Sequence, residues 1–173
     1  MKKLISFLLI MAFVLTFSSV CVAQQSSLGR GNIALKLSYI NFTVDDDTGV
    51  YAGLEGYREI RPNLYLGAEV GYANSISEAD IFVPIELNLK YAIRAAPEFV
   101  IDLGVGGSYN YVEEEHSKND WLFGAQFFVD LNYIIEKFFM GINVKYQLTE
   151  HYREDSDIDF NNWRLGGQIG IMF

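Results

Sequence analysis

The sequence predicts an all-β protein: a closed eight-stranded antiparallel up-and-down transmembrane β-barrel preceded by a cleaved signal peptide. Three observations predict it. Beyond about residue 30 the apolar residues recur with period two, over eight segments. The face opposite the apolar one is rich in glycine and nearly balanced in charge. An apolar N-terminal run with small residues behind it has the pattern of an export signal.

The composition narrows the alternatives first. The 173 residues carry 22 Asp and Glu against 13 Lys and Arg, a net charge of −9, yet 50% of them are hydrophobic. With 11 Tyr and 13 Phe this is no disordered acidic tail, which would be poor in aromatics. The acidic balance excludes the basic footprint that nucleic acid needs. The length suits one domain with a core.

The N-terminal segment reads as an address. Lys2 and Lys3 precede an apolar run from Leu4 to Phe17, and Ser18-Ser19-Val20-Cys21-Val22-Ala23 supplies small residues before Gln24. Cleavage is expected after Ala23, giving a signal peptide over 1–23, a short periplasmic segment over 24–30 and a barrel over 31–173. An uncleaved anchor and a lipoprotein acylated at Cys21 are the rival readings; Val20 suits the second poorly. Cys21 is the single cysteine, so cleavage leaves no thiol chemistry. It also removes two cations, leaving 11 against 22 acids, a net −11.

The eight segments follow in order. The first is Ile33–Tyr39, alternating through Lys36 and Ser38; the second, Val50–Tyr57, sets Val50, Ala52 and Leu54 against Tyr51, Gly53 and Glu55. The third, Leu64–Tyr72, has Gly67, Glu69 and Gly71 on its polar face. The fourth, Ile81–Tyr91, opposes its aliphatic residues to Phe82, Pro84, Glu86, Asn88 and Lys90. The fifth, Phe99–Tyr111, turns Asp102, Gly104, Gly106, Ser108 and Asn110 to that face. The sixth, Trp121–Tyr133, turns Gly124, Gln126, Asp130 and Asn132. The seventh, Phe138–Tyr146, turns Gly141, Asn143, Lys145 and, just beyond, Gln147. The eighth, Trp163–Phe173, turns Arg164, Gly166, Gln168 and Gly170.

The glycines decide which face is inside. Glycine weakens a strand, so nine of them on one solvent-washed face would be wasteful, whereas a narrow eight-stranded interior needs them. The apolar face is therefore the lipid-facing one, with aromatics at the segment ends. Tyr39, Tyr72, Tyr111, Trp121, Tyr146 and Trp163 form one expected girdle; Tyr91, Phe99, Tyr133, Phe138 and Phe173 form the other. Short connections at 58–63, 93–97 and 134–137 alternate with longer or more acidic ones, which places the former and both termini in the periplasm and the latter outside.

The terminal Trp163-Arg164-Leu165-Gly166-Gly167-Gln168-Ile169-Gly170-Ile171-Met172-Phe173, with its alternation and final Phe, resembles the closing strand of outer-membrane barrels. The whole barrel region is similar to the small eight-stranded OmpA/OmpX-like group, the outer membrane protein beta-barrel domain type, of Gram-negative-type envelopes. That resemblance implies outer-membrane localisation. It also implies a membrane-assembly signal in Trp163, Leu165, Ile169, Ile171 and Phe173, read by the barrel-assembly machinery. The likeness is to the barrel alone. No peptidoglycan-binding domain is expected after Phe173, and the loops are shorter than those of adhesin-like members, so an invasion role does not carry over.

Nine inward charges form an expected lumen network: Lys36, Glu55, Glu69, Glu86, Lys90, Asp102, Asp130, Lys145 and Arg164. A nearly balanced set can interlock across a narrow barrel and plug it. A narrow channel is the alternative. Phe42, Tyr51, Tyr57, Tyr65, Phe82, Phe128 and Phe139 also face inward, as packing or as the lining of a passage for small apolar molecules. Pro84 needs a bulge or a ladder end, because a closed barrel has no free edge.

The surplus charge falls in the long connections: Asp45–Asp47, Glu78 and Asp80, Glu113–Glu115 with Asp120, and Glu150, Glu154, Asp155, Asp157 and Asp159, net −12 after Lys118 and Arg153. Asp155-Ser156-Asp157-Ile158-Asp159 alternates like a calcium loop, but Phe160 and Gly166 occupy the positions that need Gly and Glu. The loops read as solvated acid that could share divalent cations with lipopolysaccharide or outer-membrane lipid. A lipid A-modifying enzyme is the competing class. His116-Ser117 and His151 lack an aligned nucleophile, base and orienter, so no catalytic residue, cofactor or metal ligand is assigned. Oligomeric state is unreadable where every outward strand is apolar.

Overall fold

The computed structural model describes residues 30–43, 48–75, 81–113, 120–150 and 160–173. The expected signal segment, the Asp45–Asp47 and Asp155–Asp159 runs, His116, Ser117 and His151 lie outside these residues.

Eight strands close into one antiparallel barrel in chain order: β1 Gly31–Phe42, β2 Thr48–Arg61, β3 Leu64–Ser75, β4 Ile81–Arg94, β5 Phe99–Glu113, β6 Asp120–Ile135, β7 Phe138–Thr149 and β8 Asn162–Met172. Each is long enough to cross a bilayer at a barrel's tilt. Closure is made by β1 on β8, paired from Asn32↔Met172 to Phe42↔Asn162, and Gly31 and Phe173 exchange both backbone hydrogen bonds at 2.9 Å. No strand edge is left open, as a span through hydrocarbon requires.

The strands extend beyond the periodic segments, and the short connections shrink accordingly. β2 runs on to Arg61 and absorbs most of the 58–63 connection, leaving a turn at Pro62-Asn63. A register shift between Glu59 and Arg61 accommodates it; Asn63 sits at φ 64°, and its N–H donates to Glu59 Oε1 at 3.0 Å. Similarly, β6 and β7 leave only Glu136-Lys137 between them, with Glu136 at φ 57°. These turns and residues 95–98 define the turn end of the barrel, where the described chain also starts and finishes; the longer connections define the loop end.

Pairing of β3 with β4 explains Pro84. It stops at Val70↔Ile85 and resumes in register at Ala73↔Phe82, so no residue of β3 is paired with Pro84, while β4–β5 pairing continues through Pro84↔Asn110. The proline's missing donor falls in that gap, close to the loop end.

Alternation sets the two faces as the pattern predicts. Leu37 is 63% exposed and Phe123 64%, whereas the inward Ile40, Val112 and Lys36 are buried. All the expected girdle aromatics lie on the outward face, as do Trp163, Leu165, Ile169, Ile171 and Phe173 on β8. Inside, aromatic rings lie over the glycines of neighbouring strands. A Cβ on Gly104 would fall 2.0 Å from the Phe128 ring, and one on Gly71 2.2 Å from the Tyr51 hydroxyl. Ring and glycine together fill a space two ordinary side chains would overfill.

Candidate functional site

The site follows from register. Pairings Glu55↔Glu69 and Glu69↔Glu86 set three carboxylates side by side across β2, β3 and β4. Like charges directly opposed destabilise a sheet, so this row needs cations from elsewhere. In a closed ring of eight, β3 faces β7 and β4 faces β8, and there Lys145 and Arg164 are paired side by side. A carboxylate wall thus faces a cation wall across the lumen.

The walls meet. Lys145 Nζ donates to Glu69 Oε2 at 2.6 Å and also to Glu86 Oε2. Arg164 Nη2 donates to Glu86 Oε1 at 2.6 Å and to Gln147 Oε1 at 2.8 Å. Lys36, from β1, closes the group with contacts to Glu55 at 2.6 Å and Glu69 at 3.3 Å. The Tyr51 hydroxyl donates to Glu69 Oε1 at 2.5 Å, and its ring lies 4.5 Å from the Arg164 guanidinium carbon. Lys36 and Lys145 stand 5.6 and 5.3 Å from the centre of the Phe128 ring, adding cation–π attraction to two desolvated ammonium groups.

The nine sequence-predicted charges are all buried, but they do not form a single ion-paired network. Six of them make the group just described. Lys90 and Asp102 form a second pair at 3.0 Å nearer the turn end, with Lys90 Nζ 4.0 Å above the Tyr57 ring. Asp130 is the exception. It is fully buried, paired in register with Asp102, and among the described residues neither of its oxygens receives a hydrogen bond.

Amides join the charges, a role the sequence reading did not assign them although they share the polar face. Gln147 Nε2 donates to Ser108 Oγ at 2.6 Å and Asn110 Oδ1 at 2.8 Å. Gln126 donates to Asn88 at 2.8 Å. Asn132 donates to Asp102 at 3.1 Å and accepts from Gln168 at 2.6 Å. The signal that could have found them is their alternation with the charges on β5 to β8.

Apolar clusters lie on either side of the ionic tier. At the loop end Ile40, Phe42, Tyr51, Ala73, Phe82, Val112 and Leu122 pack together, with Phe160 against them. At the turn end Tyr57, Tyr65, Ala92, Val100 and Phe128 pack with Ile134. A cavity of about 30 Å³ opens there, lined by Asn32, Tyr65, Lys90, Asp102, Asn132 and Met172 among others, with room for a water or two. Among the described residues no group of three or more His, Cys, Asp or Glu is placed to hold a metal ion.

An apolar exterior, a charged interior and full closure define a transmembrane β-barrel of the outer-membrane kind. The chain belongs to the outer membrane protein beta-barrel domain family, whose profile matches residues 9–169. Among solved structures it is similar to Neisserial surface protein A, at 10% identity and TM-score 0.68, over 83% of this chain and 96% of that one. It is also similar to the N-terminal β-barrel domain of Pseudomonas aeruginosa OprF, at 13% identity and TM-score 0.60, over 83% and 98%. These likenesses show a shared fold. No curated protein sequence matches the chain.

Proposed function

We propose that this outer-membrane barrel has a plugged lumen and works through its surface, contributing to envelope integrity and contacting lipopolysaccharide or other ligands through acidic external loops. The observation that carries the plugged-lumen reading is the ionic tier: Glu69 and Glu86 on one wall reach Lys145 and Arg164 on the other. A passing molecule would have to break several desolvated ion pairs at once, and a buried charge left without its partner costs about 3–5 kcal/mol. The apolar clusters on both sides support the same reading.

In this reading both termini are periplasmic, the signal peptide leaves after Ala23, and the β8 residues Trp163, Leu165, Ile169, Ile171 and Phe173 serve as the assembly signal. The −12 loops face outward, where divalent cations can bridge them to anionic lipopolysaccharide. No catalytic step is assigned. The test is single-channel recording and liposome swelling with the refolded protein in planar bilayers and vesicles. Neither steady conductance nor sugar uptake is expected; stepwise conductance in the wild type would favour the passage reading. Chelating divalents in lipopolysaccharide-containing vesicles is expected to lower thermal stability, and an unchanged melting profile would remove the bridging role.

A further inference from the structure

The turn end of β2 departs from the rest of the outward wall. On β4 to β8 that end carries the outward aromatics Tyr91, Phe99, Tyr133, Phe138 and Phe173. On β1 the place is taken by Gly31, covered by the Phe173 ring, which a Cβ on Gly31 would meet at 2.7 Å. β2 turns an arginine outward instead. Arg58 is exposed and paired with Gly31 on one side and Leu66, on the outward face of β3, on the other.

The irregularity in β2 brings a second arginine to the same face. Glu59 is paired with Tyr65, which is buried in the lumen, so strict alternation from there would turn Ile60 outward and Arg61 inward. The register shift between Glu59 and Arg61 pairs Arg61 with Leu64 instead. Leu64 precedes Leu66 by two residues on the outward face, and directly paired side chains share a face. The bulge therefore re-aims Arg61 to the lipid-facing side, one step below Arg58. Arg61 too is exposed, and among the described residues no carboxylate forms an ion pair with either arginine. Glu59, between them in sequence, turns to the other face, where its Oε1 accepts the Asn63 N–H.

Two guanidinium groups on a lipid-facing wall lay their stems along apolar surface and carry their heads to the membrane boundary. The anion on offer there is a headgroup phosphate, which the guanidinium fork matches. Two like charges on one face also repel a headgroup's own ammonium, so a phosphate without one fits better. We propose that Arg58 and Arg61, over the aliphatic floor of Leu64 and Leu66, are a docking site for the phosphate of an anionic phospholipid. This rests on the reading that the turn end of the wall lies in the periplasmic, phospholipid leaflet. Each exposed ion pair is worth about twofold in affinity, so the two together favour an anionic over a zwitterionic phospholipid by roughly fivefold.

The protein's two tryptophans, Trp121 and Trp163, stand at the loop end, so the test starts from a background in which both are changed to Phe. Leu66→Trp puts a reporter on β3 beside Arg58, and Tyr133→Trp puts a control at the same end of β6, which faces β2 across the ring. Each variant is refolded into vesicles holding a fixed fraction of acyl-brominated phosphatidylglycerol or acyl-brominated phosphatidylethanolamine, and quenching reports which lipid gathers at each reporter. Expected at the β3 reporter is a preference for phosphatidylglycerol of about fivefold, falling to about twofold with Arg61→Gln and to near unity with Arg58→Gln and Arg61→Gln together. The β6 control is expected near unity throughout. Both arginines are exposed, so the glutamines leave the packing of the barrel intact. Equal preference at the two reporters, or a preference that survives both glutamines, overturns the site while leaving the wall in the membrane. If neither brominated lipid quenches either reporter, the turn end lies outside the bilayer, and the underlying placement fails and takes the site with it.

Discussion

The same chemical change, carboxylate to amide, should have opposite consequences at two buried lumen positions. Glu86 accepts from Lys145, from Arg164 Nη2 at 2.6 Å and from Asn88 Nδ2 at 3.2 Å. In Glu86→Gln, Lys145 keeps Glu69, but Arg164 keeps only Gln147 and a 3.9 Å contact to Glu69, so a buried guanidinium loses its main counter-charge. Breaking a buried pair from one side costs about 3–5 kcal/mol. Asp130 has no such partners. Its oxygens receive no hydrogen bond among the described residues, it is paired with Asp102, and Lys90 and Lys36 are engaged by other carboxylates. Asp130→Asn keeps the shape and removes one of two opposed like charges, so the expected change is within about 1 kcal/mol of the parent or stabilising. Both variants are refolded into micelles and titrated with urea, following tryptophan fluorescence. With slopes of about 1–3 kcal/mol per molar, Glu86→Gln should lower the midpoint by about 1 M or more while Asp130→Asn leaves or raises it. Equal losses in the two would refute the reasoning, because they would mean that burial alone, and not pairing, sets the cost of changing these groups.

Three further outcomes follow from the geometry. Gly104→Ala puts a methyl 2.0 Å from Phe128 and should cost about 1–3 kcal/mol, whereas Gly107→Ala faces outward, 3.8 Å from its nearest neighbour, and should be neutral or stabilising, both read by urea titration. Adding Phe128→Leu should recover part of the Gly104→Ala loss, since the ring is what the methyl meets. Glu136 sits at φ 57°, so Glu136→Gly should stabilise the β6–β7 turn by about 1 kcal/mol, measured as a raised unfolding midpoint or a slower unfolding rate.

The barrel was legible because its two solvents are written with period two. Leu35 and Leu37 alternate with Lys36, Phe127 and Val129 with Phe128, and a chain so patterned has only one way to satisfy its backbone in hydrocarbon. The inward glycines were legible as a demand for space, but not which ring would claim each space; that Phe128 lies over Gly104 depends on how β5 and β6 slide against one another. The nine lumen charges were legible as a set for the same reason and illegible as pairs. Parity places Glu69 inside, but only register puts it between Glu55 and Glu86, and only closure brings Lys145 to it from 76 residues away. Strand ends failed for a local reason: Arg58 to Arg61 carry no apolar alternation, yet backbone pairing with Gly31 and β3 holds them extended.

This arrangement ties ion pairing to closure. The β2–β4 sheet alone is a row of three carboxylates at one level, with Lys90 lower down committed to Asp102. Lys36 on β1, paired with β2, compensates Glu55, but the compensation of Glu69 and Glu86 comes mainly from Lys145 and Arg164 on β7 and β8, the last hairpin. In water the row is tolerable, since screening leaves each repulsion small. Out of water it is not, because the same charges then interact several times more strongly. A barrel that entered the membrane open would carry unpaired carboxylates on one wall and unpaired cations on the other, each at its full desolvation cost. The lumen charges therefore favour insertion of the closed ring over insertion of separate hairpins. The residues that make that distinction are Lys145 and Arg164, delivered when β8 meets β1; Lys36 already stands beside Glu55 through the β1–β2 pairing.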